Sequence, residues 1–136
     1  MTYLPIPPEE SIIYENGKLY VCLATEPLTK GHTIVVWKGG DKDINSLSCE
    51  NYEYLMNMVD VARETLLAAL GVEKVYLLYM DEARHVHWHL VPRYNENGFD
   101  VFSHEPNKTD DFSLVGKIKP VFDEVIRRHK EFNKHE

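Results

Sequence analysis

A chain of 136 residues, 43% hydrophobic and 27% charged, has the size and composition of one soluble globular domain with a core of useful dimensions. It contains no apolar run of the roughly 18–20 residues that a membrane span requires, and Met1 to Glu10, proline-rich and acidic, lacks the basic and apolar regions of a secretory signal. Twenty-two acidic against 15 basic residues give a net charge of −7. That argues against polymeric nucleic acid as a partner, since its affinity rests on basic contacts to phosphate; a local cluster of donors can still hold a small anion.

In chain order, Ser11 to Glu15 and Lys18 to Ala24 are apolar, β-branched runs on either side of Asn16-Gly17. This predicts a hairpin with a type I′ turn, both central residues at positive φ. Cys22 and Cys49 are far apart and outside any metal-ligand spacing, which predicts two reduced thiols in a cytoplasmic protein. A Pro- and Gly-punctuated loop runs from Thr25 to Gly31, and His32 to Trp37 reads as a third strand.

Between Glu50 and Leu70 the apolar residues Tyr52, Leu55, Met56, Val59, Ala62, Leu66 and Ala69 form a helical stripe. Ser48 can cap its start and Gly71 stops it. Val72 to Met80 is a fourth strand, joined by a tight link through Asp81, Glu82 and Ala83 to a fifth, so the two are expected to be antiparallel neighbours. Tyr94 to Thr109 reads as a long loop, which leaves open a substrate-facing flap or plain disorder. Beyond it Val115, Ile118, Phe122, Val125, Ile126, His129 and Phe132 recur near helical period, with Pro120 expected to kink that helix or start a new one. The sum is an α+β domain, a mostly antiparallel sheet of about five strands with two helices. It is expected to be a single domain over 1–136, with a core at 11–94 and a C-terminal loop and helix at 95–134.

The fifth strand carries the chemistry. Arg84-His85-Val86-His87-Trp88-His89-Leu90 places three histidines at two-residue spacing, the period of a β-strand. Three imidazoles are then expected on one face, each about 6.5–7 Å from the next. Val86, Trp88 and Leu90 fall on the other face, which suits the core, and there Trp88 is expected to pack rather than stack on a base. Three readings are open on the residues alone: a tri-histidine zinc site with an open position for water, a sheet face that happens to be histidine-rich, or an imidazole nucleophile whose neighbours hold an anionic phosphoryl group. Phosphoryl transfer depends on positioning and on stabilising charge at non-bridging oxygens. An imidazole near its ordinary pKa of about 6.5 is largely neutral and nucleophilic at pH 7. His104, His129 and His135 are expected to be solvent-exposed.

Pro27-Leu28-Thr29-Lys30-Gly31-His32 before an apolar strand, followed by His85-Val86-His87-Trp88-His89-Leu90-Val91, resembles the paired signature segments of the histidine triad (HIT) family. The resemblance covers about Ser11 to Tyr94. It implies a hydrolase or transferase acting at the α-phosphate of nucleotides such as nucleoside phosphoramidates or dinucleoside polyphosphates, with no cofactor and no metal. It implies His87 as the nucleophile, its ring fixed by the carbonyl of His85. His89 would donate to a phosphate oxygen, and His32 would help move a proton toward the leaving group. It also implies a homodimer formed through the helix and edge strand. Where many members have a Gly-Gln-Ser/Thr segment before the triad, this chain has Asp81-Glu82-Ala83-Arg84, which makes Glu82 and Arg84 the candidate phosphate contacts. Where many have Asp or Asn for the ribose it has Ala24, with Thr25 beside it as a candidate.

Overall fold

The main elements run β1 (Ile12–Glu15), β2 (Leu19–Leu23), β3 (Thr33–Trp37), α1 (Cys49–Leu70), β4 (Lys74–Tyr79), β5 (His87–Arg93) and α2 (Val115–Lys134). The computed structural model describes residues 6–81 and 84–134. Every neighbouring pair of strands is antiparallel, and the sheet order is β1-β2-β3-β5-β4. The expected α+β class, five strands and two helices, is what the chain adopts.

Alternation decides which face of the sheet the helices cover. Leu19, Val21 and Leu23 of β2, Val35 and Trp37 of β3, and Leu90 of β5 project into one buried cluster, joined by Val86 just before β5. Leu55, Met58, Val59, Ala62 and Leu66 of α1 and Ile118, Phe122 and Val125 of α2 complete that cluster. The Ser48 hydroxyl accepts from the Asn51 N–H at 3.1 Å and starts α1. At the other end Gly71, at φ +65°, sends its N–H back to the Leu67 carbonyl, a left-handed stop that glycine takes without Cβ strain.

Several local expectations give way. Neither Asn16 nor Gly17 has positive φ, so the first hairpin is not a type I′ turn. The Asn16 side-chain oxygen instead accepts from the N–H groups of Lys18 and Leu19, an Asx arrangement that closes the turn without left-handed backbone. α2 runs as one helix through Pro120; with Pro120 in its second turn, the helix forgoes a single backbone bond, to the carbonyl of Gly116. The 94–109 segment contains a 3-10 turn, Gly98–Ser103. Its Val101 is fully buried, and its Phe102 packs on Tyr76 of β4 with ring centroids 5.7 Å apart. His129 is not free in solvent, because its Nε2 meets Glu64 Oε2 at 2.9 Å and ties α2 to α1. His104 is exposed but paired with Glu96 at 2.8 Å. His135 lies outside the described residues.

Candidate active site

The opposite face of the sheet bears the histidines. Residues directly opposed in antiparallel strands share a face. His87 faces Val36 and Val36 faces Tyr20, while His89 faces Ile34 and Ile34 faces Cys22. The result is a floor of Tyr20, Cys22, Ile34 and Val36 beside two imidazoles. A cavity of about 100 Å³ sits there, bounded also by Ala24, Thr25, Ile6 and Pro7.

His32 is delivered by the loop after β2. Gly31, at φ +88°, makes the preceding turn, and a Cβ there would lie 2.6 Å from Leu70 Cδ1. The Thr29 hydroxyl donates to the Pro92 carbonyl at 2.6 Å and fastens the loop to the end of β5. His32 itself falls just before β3, which begins at Thr33.

A neutral imidazole has one donor and one acceptor nitrogen, so partners fix the tautomers. The Leu28 N–H donates to His32 Nδ1 at 3.0 Å, which puts the ring proton on Nε2. That nitrogen lies 3.0 Å from His89 Nδ1, so His32 donates to His89, and the His89 proton is left on Nε2. His87 Nδ1 lies 2.8 Å from the His85 carbonyl. It must donate there, and its lone pair is on Nε2. Burial, and after it the proximity of His89, holds His32 down to about 4. Burial, then His87, holds His89 down to about 4. Both are neutral at pH 7, as an N–H···N chain requires. The His87 and His89 rings meet edge to face, centroids 5.1 Å apart.

His85 departs from the expected row of three. β5 begins at His87, because Arg84 takes a left-handed φ of +51° and the chain turns there. The His85 Nε2 donates to the Trp37 carbonyl at 2.7 Å, so its side chain secures the end of β3, while its own carbonyl orients His87. The pair that remains adjacent, His87 and His89, is closer than the untilted strand spacing because the rings lean together. Trp88 packs against the core beside Tyr79, centroids 5.1 Å apart. Thr25 lines the cavity. Arg84 is exposed and forms no part of that wall, and Glu82 lies outside the described residues. The 94–109 segment packs on Tyr76 through Phe102, and its end returns to the site, where the Thr109 N–H donates to the Thr25 carbonyl at 2.8 Å. Among the described residues no three His, Cys, Asp or Glu side chains are grouped as metal ligands. Sequence reasoning does not single out Tyr20, Cys22, Ile34 and Val36 as site residues. Their signal is the alternation of Tyr20 and Cys22 with the inward Leu19, Val21 and Leu23.

Comparison with known proteins agrees with this geometry. The HIT domain family matches residues 8–96, a stretch that includes His85 and the clustered His32, His87 and His89. An uncharacterized HIT-like protein of Methanocaldococcus jannaschii is 27% identical over 116 residues, covering 79% of this chain and 88% of its own. Among solved structures, a hypothetical histidine triad nucleotide-binding protein from Sulfolobus tokodaii superposes with a TM-score of 0.66 at 22% identity, covering 88% of this chain and 85% of its own. A Hit-like protein from Bartonella henselae described as involved in cell-cycle regulation gives 0.70 at 19% identity, covering 85% and 88%. With a match over well more than half its length and the imidazole cluster inside it, this chain belongs to the HIT domain family.

Proposed function

We propose that the protein is a hydrolase or nucleotidyl transferase that cleaves at the α-phosphate of nucleotide conjugates, nucleoside phosphoramidates or dinucleoside polyphosphates, through a covalent intermediate on His87. One observation carries this reading: the bond from His87 Nδ1 to the His85 carbonyl at 2.8 Å. It leaves a lone pair on Nε2, the nucleophilic atom of a buried ring that lines the cavity.

In the first step the Nε2 pair forms a bond to phosphorus as the bond from phosphorus to the leaving group breaks. The leaving group departs with the pair of the broken bond, as a phosphate anion or, after taking a proton from water, as an amine. In the second step the oxygen of water attacks phosphorus and gives up a proton to solvent, the N–P bond breaks, and the pair of that bond returns to Nε2. His89, neutral with its proton on Nε2, donates to a non-bridging oxygen as charge develops. His32 holds that tautomer through its own Nε2–H, a positioning role in place of the proton delivery implied by the resemblance. Thr25 lines the cavity wall, which supports it as a substrate contact. Arg84 stands exposed beside the triad and would reach phosphate only from the rim. Two free thiols, Cys22 and Cys49, support the cytoplasmic reading. Among the described residues no helix is long and apolar enough to cross a membrane.

Steady-state assays on adenosine phosphoramidate and diadenosine polyphosphate test the reading. Wild type is expected to turn over one class or both, and His87→Asn to lose at least about 10³-fold in kcat, as removal of a covalent nucleophile does. Retained turnover in the variant would overturn the assignment.

A further inference from the structure

The cavity beside the imidazoles has a neighbour of about 430 Å³, with Ile6, Pro7 and Tyr20 lining both, and the wall of the second includes Ile12, Glu15 and Lys38. The strand register gives the direction from one to the other. His87 faces Val36, Val36 faces Tyr20, and Tyr20 faces Glu15. These four residues form one row across β5, β3, β2 and β1, all on the histidine-bearing face. At the end of the row Lys38 Nζ lies 2.7 Å from Glu15 Oε2, with the side chains 34% and 52% exposed.

Three strand spacings of about 4.8 Å separate the ends of the row by about 14 Å. Subtracting an attack distance of about 3 Å and a hydrogen bond of about 2.8 Å leaves about 8 Å. That is the reach of a nucleoside 5′-phosphate from phosphorus to the far edge of its base. Between the ends lie Val36 and the Tyr20 ring, an aliphatic and an aromatic side chain against which the face of a base can pack.

We propose that Glu15 and Lys38 read the edge of the nucleobase and select guanine. A carboxylate offers about four acceptor positions and an ammonium three donors, so the pair can keep its mutual bond and still use the rest. The guanine edge presents two adjacent N–H donors beside one carbonyl acceptor. The donors match a bidentate carboxylate and the acceptor matches the ammonium. Adenine presents a ring acceptor where guanine has the N1–H donor and an amino donor where guanine has the carbonyl, so in the same pose it matches neither partner. The inference rests on the proposed reading of the site for its phosphate end only; the base end stands on the row and the ion pair.

Calorimetric titration of the full chain with GMP, IMP and AMP reads the base end without any chemistry. GMP is expected to bind at least about tenfold more tightly than AMP, with IMP, which lacks the 2-amino group, between them. In Glu15→Gln and in Lys38→Met the GMP to AMP ratio is expected to fall toward one. Equal binding of the three, an adenine preference, or a ratio unmoved in both variants would overturn the proposal. Paired kcat/KM values for guanosine and adenosine phosphoramidates separate the two readings. Turnover with no base preference removes the base site and leaves the nucleophile. Selective binding of GMP without turnover leaves the base site and removes the chemistry. Failure of all three nucleotides to bind removes both.

Discussion

A hydrogen bond at one nitrogen of an imidazole decides what the other can do, and three rings here are set that way in sequence. A backbone N–H sets His32, His32 sets His89, and a backbone carbonyl sets His87. The arrangement has a consequence for stability. His32 and His89, held down to about 4 by burial and then by a neighbouring ring, stay neutral in the folded chain, while the unfolded chain protonates them near 6.5. Between those values the unfolded state binds the extra protons, so stability rises with pH and is lost as pH falls from about 6.5 to about 4. Urea midpoints measured across that window are expected to fall on acidification. His32→Gln is expected to remove about one proton from the uptake on unfolding near pH 5; an unchanged slope would contradict the buried neutral ring. His87 and His89 are legible in the sequence at this scale because two-residue spacing on a strand has few structural uses. The detachment of His85 is not, since the left-handed turn at Arg84 has no glycine to announce it.

Elements place these rings through a small number of backbone decisions. β5 lies between β3 and β4, so its imidazoles sit over a floor paired on both sides. The loop before β3 must turn sharply to bring His32 beside His89, and Gly31 makes that turn at φ +88°. Gly31→Ala forces a Cβ against Leu70 Cδ1 and a left-handed L-residue. It is expected to cost about 1–2 kcal/mol from the backbone alone, read as a lower urea midpoint with unchanged m-value. A variant as stable as wild type would show that the loop has another route. The strands and α1 are readable from period, and Ser48 and Gly71 mark the ends of α1 in the sequence. The first hairpin escapes such a reading because Asn16 satisfies the turn with its side chain rather than with positive φ, a choice that composition does not reveal. Pro120 leaves α2 unbroken because a proline near a helix start forgoes only one bond, and the helix is held by Phe122 and Val125, both fully buried.

The whole molecule joins one helix-covered face to one histidine-bearing face, and the same alternation in β2, β3 and β5 generates both. The core is visible in the sequence as inward residues; the apolar floor on the other face is not, because Tyr20, Cys22 and Val36 look like ordinary strand residues until the register aligns them. β4 is an edge strand, and it ends beside Met80, which is 49% exposed, while its Leu77 is 39% exposed. A strand edge with apolar side chains is a template for pairing with another chain, and the resemblance implies a homodimer formed through the helix and edge strand. Sedimentation equilibrium is expected to report twice the 15.9 kDa chain mass, and a monomer at micromolar concentration would contradict that pairing.

The account depends most on the free Nε2 of His87. A single-turnover reaction with a nucleoside phosphoramidate, quenched at neutral pH and digested, is expected to yield a peptide carrying one acid-labile nucleoside monophosphate on His87. Label on His85, on His89 or on no histidine while product forms would contradict it.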